Sequence, residues 1–280
     1  MVEISATLVK ELREETNVGM MECKKALVEA GGNKQEAIRI LRERGLAIAG
    51  KKASRTAKEG QIASEIRQGG KLGAMVEVNC ETDFVARNES FQAFLRSVAE
   101  KALMVQGDLA EAMKDILTAK ITEIGENMLI RRSVRFEVKQ PGIVASYIHL
   151  GGKVGVLVEV GCGNEATEKN EAFRELVKDI TLHIAACQPH YLARQDVPAE
   201  VIKAESDIYA KQVQNKPPQI IQKIVTGKLE KFYDQVCLVE QGFVKDPDIS
   251  MTDLLAAKGK EIGDTLQIRR FARYQVGEQI

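Results

Sequence analysis

The chain has 280 residues, 44% of them hydrophobic, which suits about two domains with cores of their own. Forty Lys and Arg residues balance forty Asp and Glu, so bulk phosphate neutralisation is a poor description of its main job. With no Trp and only 5% aromatic residues, a stacking platform for single-stranded nucleic acid is disfavoured too.

Residues 1–45 read as a three-helix module. Ser5 suits an N-cap, and Leu8, Val9 and Leu12 fall on one face of the helix that follows. A second helix spans about Gly19–Ala30 and stops at Gly31-Gly32. Asn33 can cap a third, whose apolar positions Ala37, Ile38, Ile40 and Leu41 precede Gly45. Residues 46–60, LAIAGKKASRTAKEG, are Ala-rich and basic and read as a short helix and linker.

Residues 62–91 and 144–173 are two copies of one segment (62 + 82 = 144), identical at 14 of 30 positions. The likeness is strongest in GGKxGxxVEVxC, fails at TDFVAR against NEATEK, and returns at NE and Phe91/Phe173. In the first copy IASEIR and KLGAMVEVN alternate like strands, with a hairpin turn at GG. TDFVARN reads as a connection. Phe91, Phe94, Leu95, Val98 and Leu103 follow at helical spacing, a second helix fits 108–123, and MLIRRSVRFEV closes the copy as a strand. That closing segment is also repeated: IGENMLIRRSVRFEV at 124–138 matches IGDTLQIRRFARYQV at 262–276, at an offset of 138. The second copy therefore holds 138 − 82 = 56 extra residues. Much of the insertion, about 199–237, favours helix but is broken at Asn215-Lys216-Pro217-Pro218, which gives a projecting helical hairpin. Ile202, Ile208, Val213, Ile220, Ile221, Ile224, Val225 and Leu229 are expected to zip it. The fold class is thus α+β. Its parts are a three-helix module (1–45), a basic linker (46–60), core copy one (61–140), and core copy two with the hairpin (141–280).

Cys23, Cys80, Cys162, Cys187 and Cys237 are odd in number, widely spaced and form no CxxC, which fits reduced thiols in a cytoplasmic protein. MVEISATLVKELREE has no apolar stretch of signal-peptide type, and no apolar run approaches the ~18 residues of a membrane span. His149, His183 and His190 belong to no metal-ligand pattern, and GxSxG, GxxxxGK[ST] and strand-borne GxGxxG are absent. The chain is read as a non-enzyme that needs no cofactor and binds no nucleotide or metal itself.

Two segments stand out instead. Asp83-Phe84 lies in a connection where the second copy has Glu165-Ala166, so the shared scaffold closes without an aromatic there. The plain reading is a Phe covering the core and an Asp capping a helix; the other is a wedge for a partner's pocket. In Asn17-Val18-Gly19-Met20-Met21, adjacent Met side chains diverge by about 100° on a helix, so both cannot enter a small core. Exposed Met suits adaptable protein contacts.

LVKELREETNVGMMECKKAL, VEVNCETDFVAR, the IGEN and IRR strands, the duplicated core and the helical insertion together resemble the bacterial elongation factor Ts family, over essentially the whole chain. The chain stops at VGEQI, without the additional C-terminal helix of some members. The resemblance implies an ubiquitin-associated-like helical module, a duplicated α+β core and a coiled-coil hairpin. It implies guanine-nucleotide exchange on elongation factor Tu in the cytoplasm during translation elongation. By position it assigns partner docking to Arg13, Met20, Met21 and His149, and dislocation of the partner's Mg²⁺ to Thr82, Asp83, Phe84 and Val85. The alternative is an RNA- or ribosome-binding adaptor using Lys51, Lys52, Arg55, Lys58 and the hairpin; balanced charge counts against it.

Overall fold

Ser5 Oγ accepts a hydrogen bond from the Leu8 amide (3.2 Å) and opens α1 (Ala6–Thr16). The computed structural model describes residues 4–16, 18–213 and 217–279, apart from the Leu46 side chain; Asn17, Asn215 and Lys216, named above, lie outside them. Helices α2 (Met20–Glu29) and α3 (Lys34–Lys52) complete the module, with Val9, Leu12, Cys23, Ala26, Leu27, Ala37, Ile40 and Leu41 in one small core. Asn33 Oδ1 accepts from the Glu36 amide (3.1 Å) and caps α3. The stop expected at Gly45 is wrong, because α3 runs on through Lys52. Gly45 permits a helix crossing instead: a Cβ there would lie 3.1 Å from Thr122 Oγ1.

Copy one follows as β1 (Glu59–Arg67), β2 (Leu72–Cys80), α4 (Asp83–Ala86), α5 (Glu89–Ala102), α6 (Leu109–Ala112), α7 (Lys114–Ile124) and β3 (Met128–Glu137), with antiparallel strand order β1-β2-β3. The single helix expected over 108–123 is two pieces. Met113, at φ −107° and ψ 4°, leaves helical geometry to bury its side chain in the core. Phe91, Phe94, Leu95 and Val98 cover one face of this sheet. Copy two starts with β4 (Gly142–His149), β5 (Val154–Cys162) and α8 (Glu171–Cys187), whose Phe173, Leu176, Val177 and Ile180 do the same for the second sheet.

The hairpin comes next, as α9 (Ala199–Gln212) and α10 (Pro218–Val236). Of its expected zipper, Val225 is buried but Ile208 and Ile220 are exposed. A pair of helices has one seam, and residues off that seam face water. The chain returns through β6 (Gly242–Phe243), β7 (Asp246–Ser250) and α11 (Met251–Ile262) to β8 (Leu266–Gln275), giving strand order β4-β5-β8. Buried His183 fastens the root of the hairpin. Its Nδ1 accepts from the Val244 amide (3.1 Å), so Nε2 carries the proton toward Gln241 Oε1 (3.0 Å). Burial pushes its pKa down. No helix among the described residues is long and apolar enough to cross a membrane.

The remaining faces of the two sheets pack on each other through Ile62, Met75, Phe136, Val144 and Leu157. Ser64 and Ser146 are equivalent residues (64 + 82 = 146), and their hydroxyls are 2.9 Å apart. Residues that touch their own counterparts mark a two-fold relation, here internal to one chain. The glycines of GGKxG obey it. A Cβ at Gly73 would lie 2.6 Å from Val144 Cγ1, and one at Gly155 would lie 2.4 Å from Ile62 Cγ2. The motif both copies share therefore builds the contact between copies as well as the turn.

Each central strand also buries a carboxylate. Glu77 accepts from Arg131 Nη1 (3.1 Å) and Arg132 Nε (2.7 Å); Glu159 accepts from Arg269 Nη1 (3.1 Å) and Arg270 Nε (2.7 Å). Consecutive strand residues normally point to opposite faces. A bulge solves this: Glu77 pairs with Arg132 and Val78 with Ile130, so Arg131 is the extra residue, and Arg269 is its counterpart. The second arginine of each pair also crosses the two-fold, Arg132 Nη2 to the Gln275 carbonyl (3.2 Å) and Arg270 Nη2 to the Glu137 carbonyl (3.1 Å). Removing one partner of a buried ion pair strands the other, so Glu77→Ala is expected to cost about 3 kcal/mol in urea unfolding. A loss under about 1 kcal/mol would show that the arginines are satisfied without it.

Candidate functional site

The TDFVAR segment forms a single turn of helix where β2 leaves the sheet. Thr82, in extended conformation, caps it by accepting from the Val85 amide (3.3 Å). Ala86 is buried, and Val85 packs against the core of copy one. With those two facing inward, Phe84 points outward at 83% exposure, more than any other large apolar residue described. Asp83 pairs with Arg87 at 3.0 Å, with both side chains substantially exposed. Such pairs contribute about 0.3–0.5 kcal/mol, so Asp83 can readily change partners.

The segment is held from across the sheet. Glu126, in the turn between α7 and β3, accepts from the Glu81 and Thr82 amides (both 3.0 Å) and from Thr82 Oγ1 (2.7 Å). Glu81 Oε1 in turn accepts from the Asn127 amide (2.6 Å), and Asn127 Nδ2 donates to the Arg55 carbonyl (2.7 Å). In copy two Asp264 stands for Glu126 (126 + 138 = 264) and accepts from the Gly163 and Asn164 amides (both 3.0 Å) and Thr167 Oγ1 (2.6 Å). These bonds hold the Asp264 carboxyl below the usual range, the Thr167 hydroxyl contributing most. The clamp is shared, but the residue presented is not, since Ala166 stands where copy one has Phe84.

Cys80, just before the segment, donates its thiol to the Thr82 carbonyl (3.1 Å), and Cys162 does the same to Asn164 (3.2 Å). Burial pushes the Cys80 pKa up to about 12, which removes thiolate chemistry near neutrality. No group of three or more His, Cys, Asp or Glu among the described residues is placed to hold a metal.

The other expected residues lie on separate elements. Met20 and Met21, in the first turn of α2, are both exposed, at 45% and 65%. Arg13 is exposed on α1. His149 ends β4, with Nδ1 2.7 Å from Tyr147 Oη. The structure thus gathers Thr82, Asp83, Phe84 and Val85 into one unit, while the docking residues belong to the helical module and to copy two. Three neighbours escaped the sequence reading. Val28 is exposed on α2, and Leu150, beside His149, is exposed in a left-handed conformation (φ 49°). Gln68 is its copy-one counterpart (68 + 82 = 150), so comparing the repeats could have flagged Leu150. Glu126 was visible only as part of IGEN, the partner of IGDT in the repeat.

A family model described as elongation factor TS matches residues 81–278. Elongation factor Ts of Clostridium botulinum (strain Alaska E43 / Type E3) is 44% identical, covering 99% of this chain and 94% of that protein. That of Trichlorobacter lovleyi is 42% identical, covering 98% and 93%, and that of Nostoc punctiforme 41%, covering 100% and 94%. With matches of this strength over nearly its whole length, the chain belongs to the elongation factor Ts family of translation elongation factors.

Proposed function

We propose that this chain is a cytoplasmic guanine-nucleotide exchange factor for elongation factor Tu, and not an enzyme. The observation that carries the reading is Phe84: an 83% exposed ring on a rigidly clamped turn, where the twin loop has Ala166. Exposing a Phe forgoes roughly 1.5–3 kcal/mol of burial, which a partner's pocket would recover.

The partner's Mg²⁺ demands near-ideal octahedral geometry while bridging protein and phosphates. Phe84 need not touch the metal. Inserted between elements of the partner, it shifts them enough to spoil the coordination, and GDP then leaves. Asp83, held only by an exposed pair, competes for the partner's hydrogen-bond donors, while Thr82 and Val85 anchor the turn. Met20, Met21 and Arg13 supply an adaptable docking face on the helical module, and His149 a second contact on copy two. The coupling is reciprocal: a factor that weakens nucleotide binding is released when GTP rebinds. No bond is made or broken.

The RNA-adaptor reading loses ground. Lys52 Nζ is engaged by the Gly125 carbonyl, and Arg55 pairs with Glu81 at 3.6 Å, so two of the four basic residues are partly committed within the chain.

On size-exclusion chromatography with purified elongation factor Tu, a complex is expected without nucleotide and should dissociate when GDP and Mg²⁺ are added in excess. Co-elution indifferent to both would contradict exchange. In stopped flow with fluorescent GDP, Phe84→Ala is expected to keep its fold and slow release from the partner about tenfold or more, the effect of losing an aromatic anchor. Native release rates in both Phe84→Ala and Asp83→Ala would sink the wedge.

A further inference from the structure

We propose that Glu126 is the positioning residue of the exchange site: it aims Phe84 without touching the partner. The inference rests on the exchange reading above. Helix α4 has four residues, far below the length at which a helix stabilises itself. Its direction therefore comes from the packing of Val85 and Ala86 together with what holds its start, and that start is fastened chiefly through one carboxylate. Glu126 receives three donors from Glu81 and Thr82. Thr82 Oγ1 is shared, donating to Glu126 (2.7 Å) and accepting from the Val85 amide (3.3 Å). The carboxylate thus fixes the hydroxyl that caps the helix carrying Phe84. Only an acceptor on both oxygens can serve, because a glutamine would turn an NH₂ group toward a donor.

A purely structural role would call for the same fastening in both copies. It is not the same. Asp264 matches the two amide bonds in copy two, but its hydroxyl donor is Thr167, the counterpart of Val85 (85 + 82 = 167). The cap there is Asn164, so the hydroxyl on the carboxylate is not the cap. Copy one adds Glu81 Oε1 to the Asn127 amide (2.6 Å) and Asn127 Nδ2 to the Arg55 carbonyl (2.7 Å). At the place of Glu81 copy two has Gly163 (81 + 82 = 163), which has no side chain to latch. The loop that bears the alanine is fastened elsewhere instead, through Glu168 to the Gly142 amide (2.9 Å) and to Lys71, and the Glu168 carbonyl accepts from Arg174 Nε (2.8 Å).

Copy two supplies the control. The full chain, as E126Q, D264N and F84A, is mixed with elongation factor Tu carrying fluorescent GDP in Mg²⁺ buffer. Thermal midpoint, maximal release rate at saturating factor and half-saturating concentration are read for each. E126Q and D264N each lose one shared clamp, so their midpoints should fall by similar amounts. Misplacement of a reacting geometry by about an ångström costs rate rather than binding, so E126Q should lose about tenfold in maximal rate with its half-saturating concentration nearly unchanged. D264N should keep the native rate. E126Q at the native rate, or D264N as slow as E126Q, overturns the assignment. If E126Q fails to fold, T82V, which removes the shared hydroxyl, is expected to show the same loss of rate, and its native rate would overturn the assignment equally. F84A separates the two readings: slow F84A with native-rate E126Q removes only the positioning role, whereas native-rate F84A removes the wedge itself.

Discussion

Each central strand carries a buried glutamate that must be neutralised, and among the described residues two neighbouring arginines on the next strand do it. Glu77 with Arg131 and Arg132, and Glu159 with Arg269 and Arg270, solve the problem identically, with one bulged residue. The bulge sets the register beyond it. Cys80 comes to lie opposite Met128, and Cys162 opposite Leu266. The residues two places earlier, Glu126 and Asp264, are thereby carried to the loops that leave β2 and β5. The clamp on each loop follows from an ion pair three residues further into the sheet. The same arginines reach across the internal two-fold, so strand register and the joining of the copies rest on one set of charges.

On that common frame the copies diverge. Copy one keeps a short run from α5 to α7, adds the Glu81–Asn127 latch, and presents Phe84. Copy two presents Ala166, lacks the latch, and inserts the α9–α10 hairpin rooted on His183 and Gln241. The symmetric part supplies the frame, and the asymmetric parts are those the proposed function assigns to partner contact. Exposed apolar residues follow the asymmetry: Phe84, Leu150 and the Met20-Met21 pair have no counterpart of the same kind at an equivalent repeat position.

Much of this was legible in the sequence because the duplication provides its own comparison. The cysteine that closes GGKxGxxVEVxC in each copy is a free thiol, as the odd, widely spaced cysteines suggested, and both Cys80 and Cys162 are buried. A Phe against an Ala left a core cover or a surface wedge open, and two adjacent Met could not both enter the core; all three side chains are exposed. The misreadings share a cause, which is local signals read without their long-range partners. Gly45 looked like a helix stop because Thr122, the residue that needs its missing side chain, is 77 positions away (122 − 45). Met113 sits inside a plausible helical pattern, and only its burial against the sheet explains the break. Ile208 and Ile220 fit helical spacing, but spacing does not say which stripe meets the other helix. Glu126 was beyond local reasoning for the same reason, since its donors are 44 and 45 residues earlier.

The central claim is that a clamped Phe84 acts on the partner's metal site rather than on the nucleotide itself. Its most direct test is GDP release from elongation factor Tu, driven by native factor and by F84A, in millimolar Mg²⁺ and again with Mg²⁺ chelated. If Phe84 works by dislodging the metal, F84A should fall well behind native factor in Mg²⁺ and match it once the metal is gone. A deficit of F84A that persists undiminished under chelation would contradict the claim and place the action of Phe84 elsewhere.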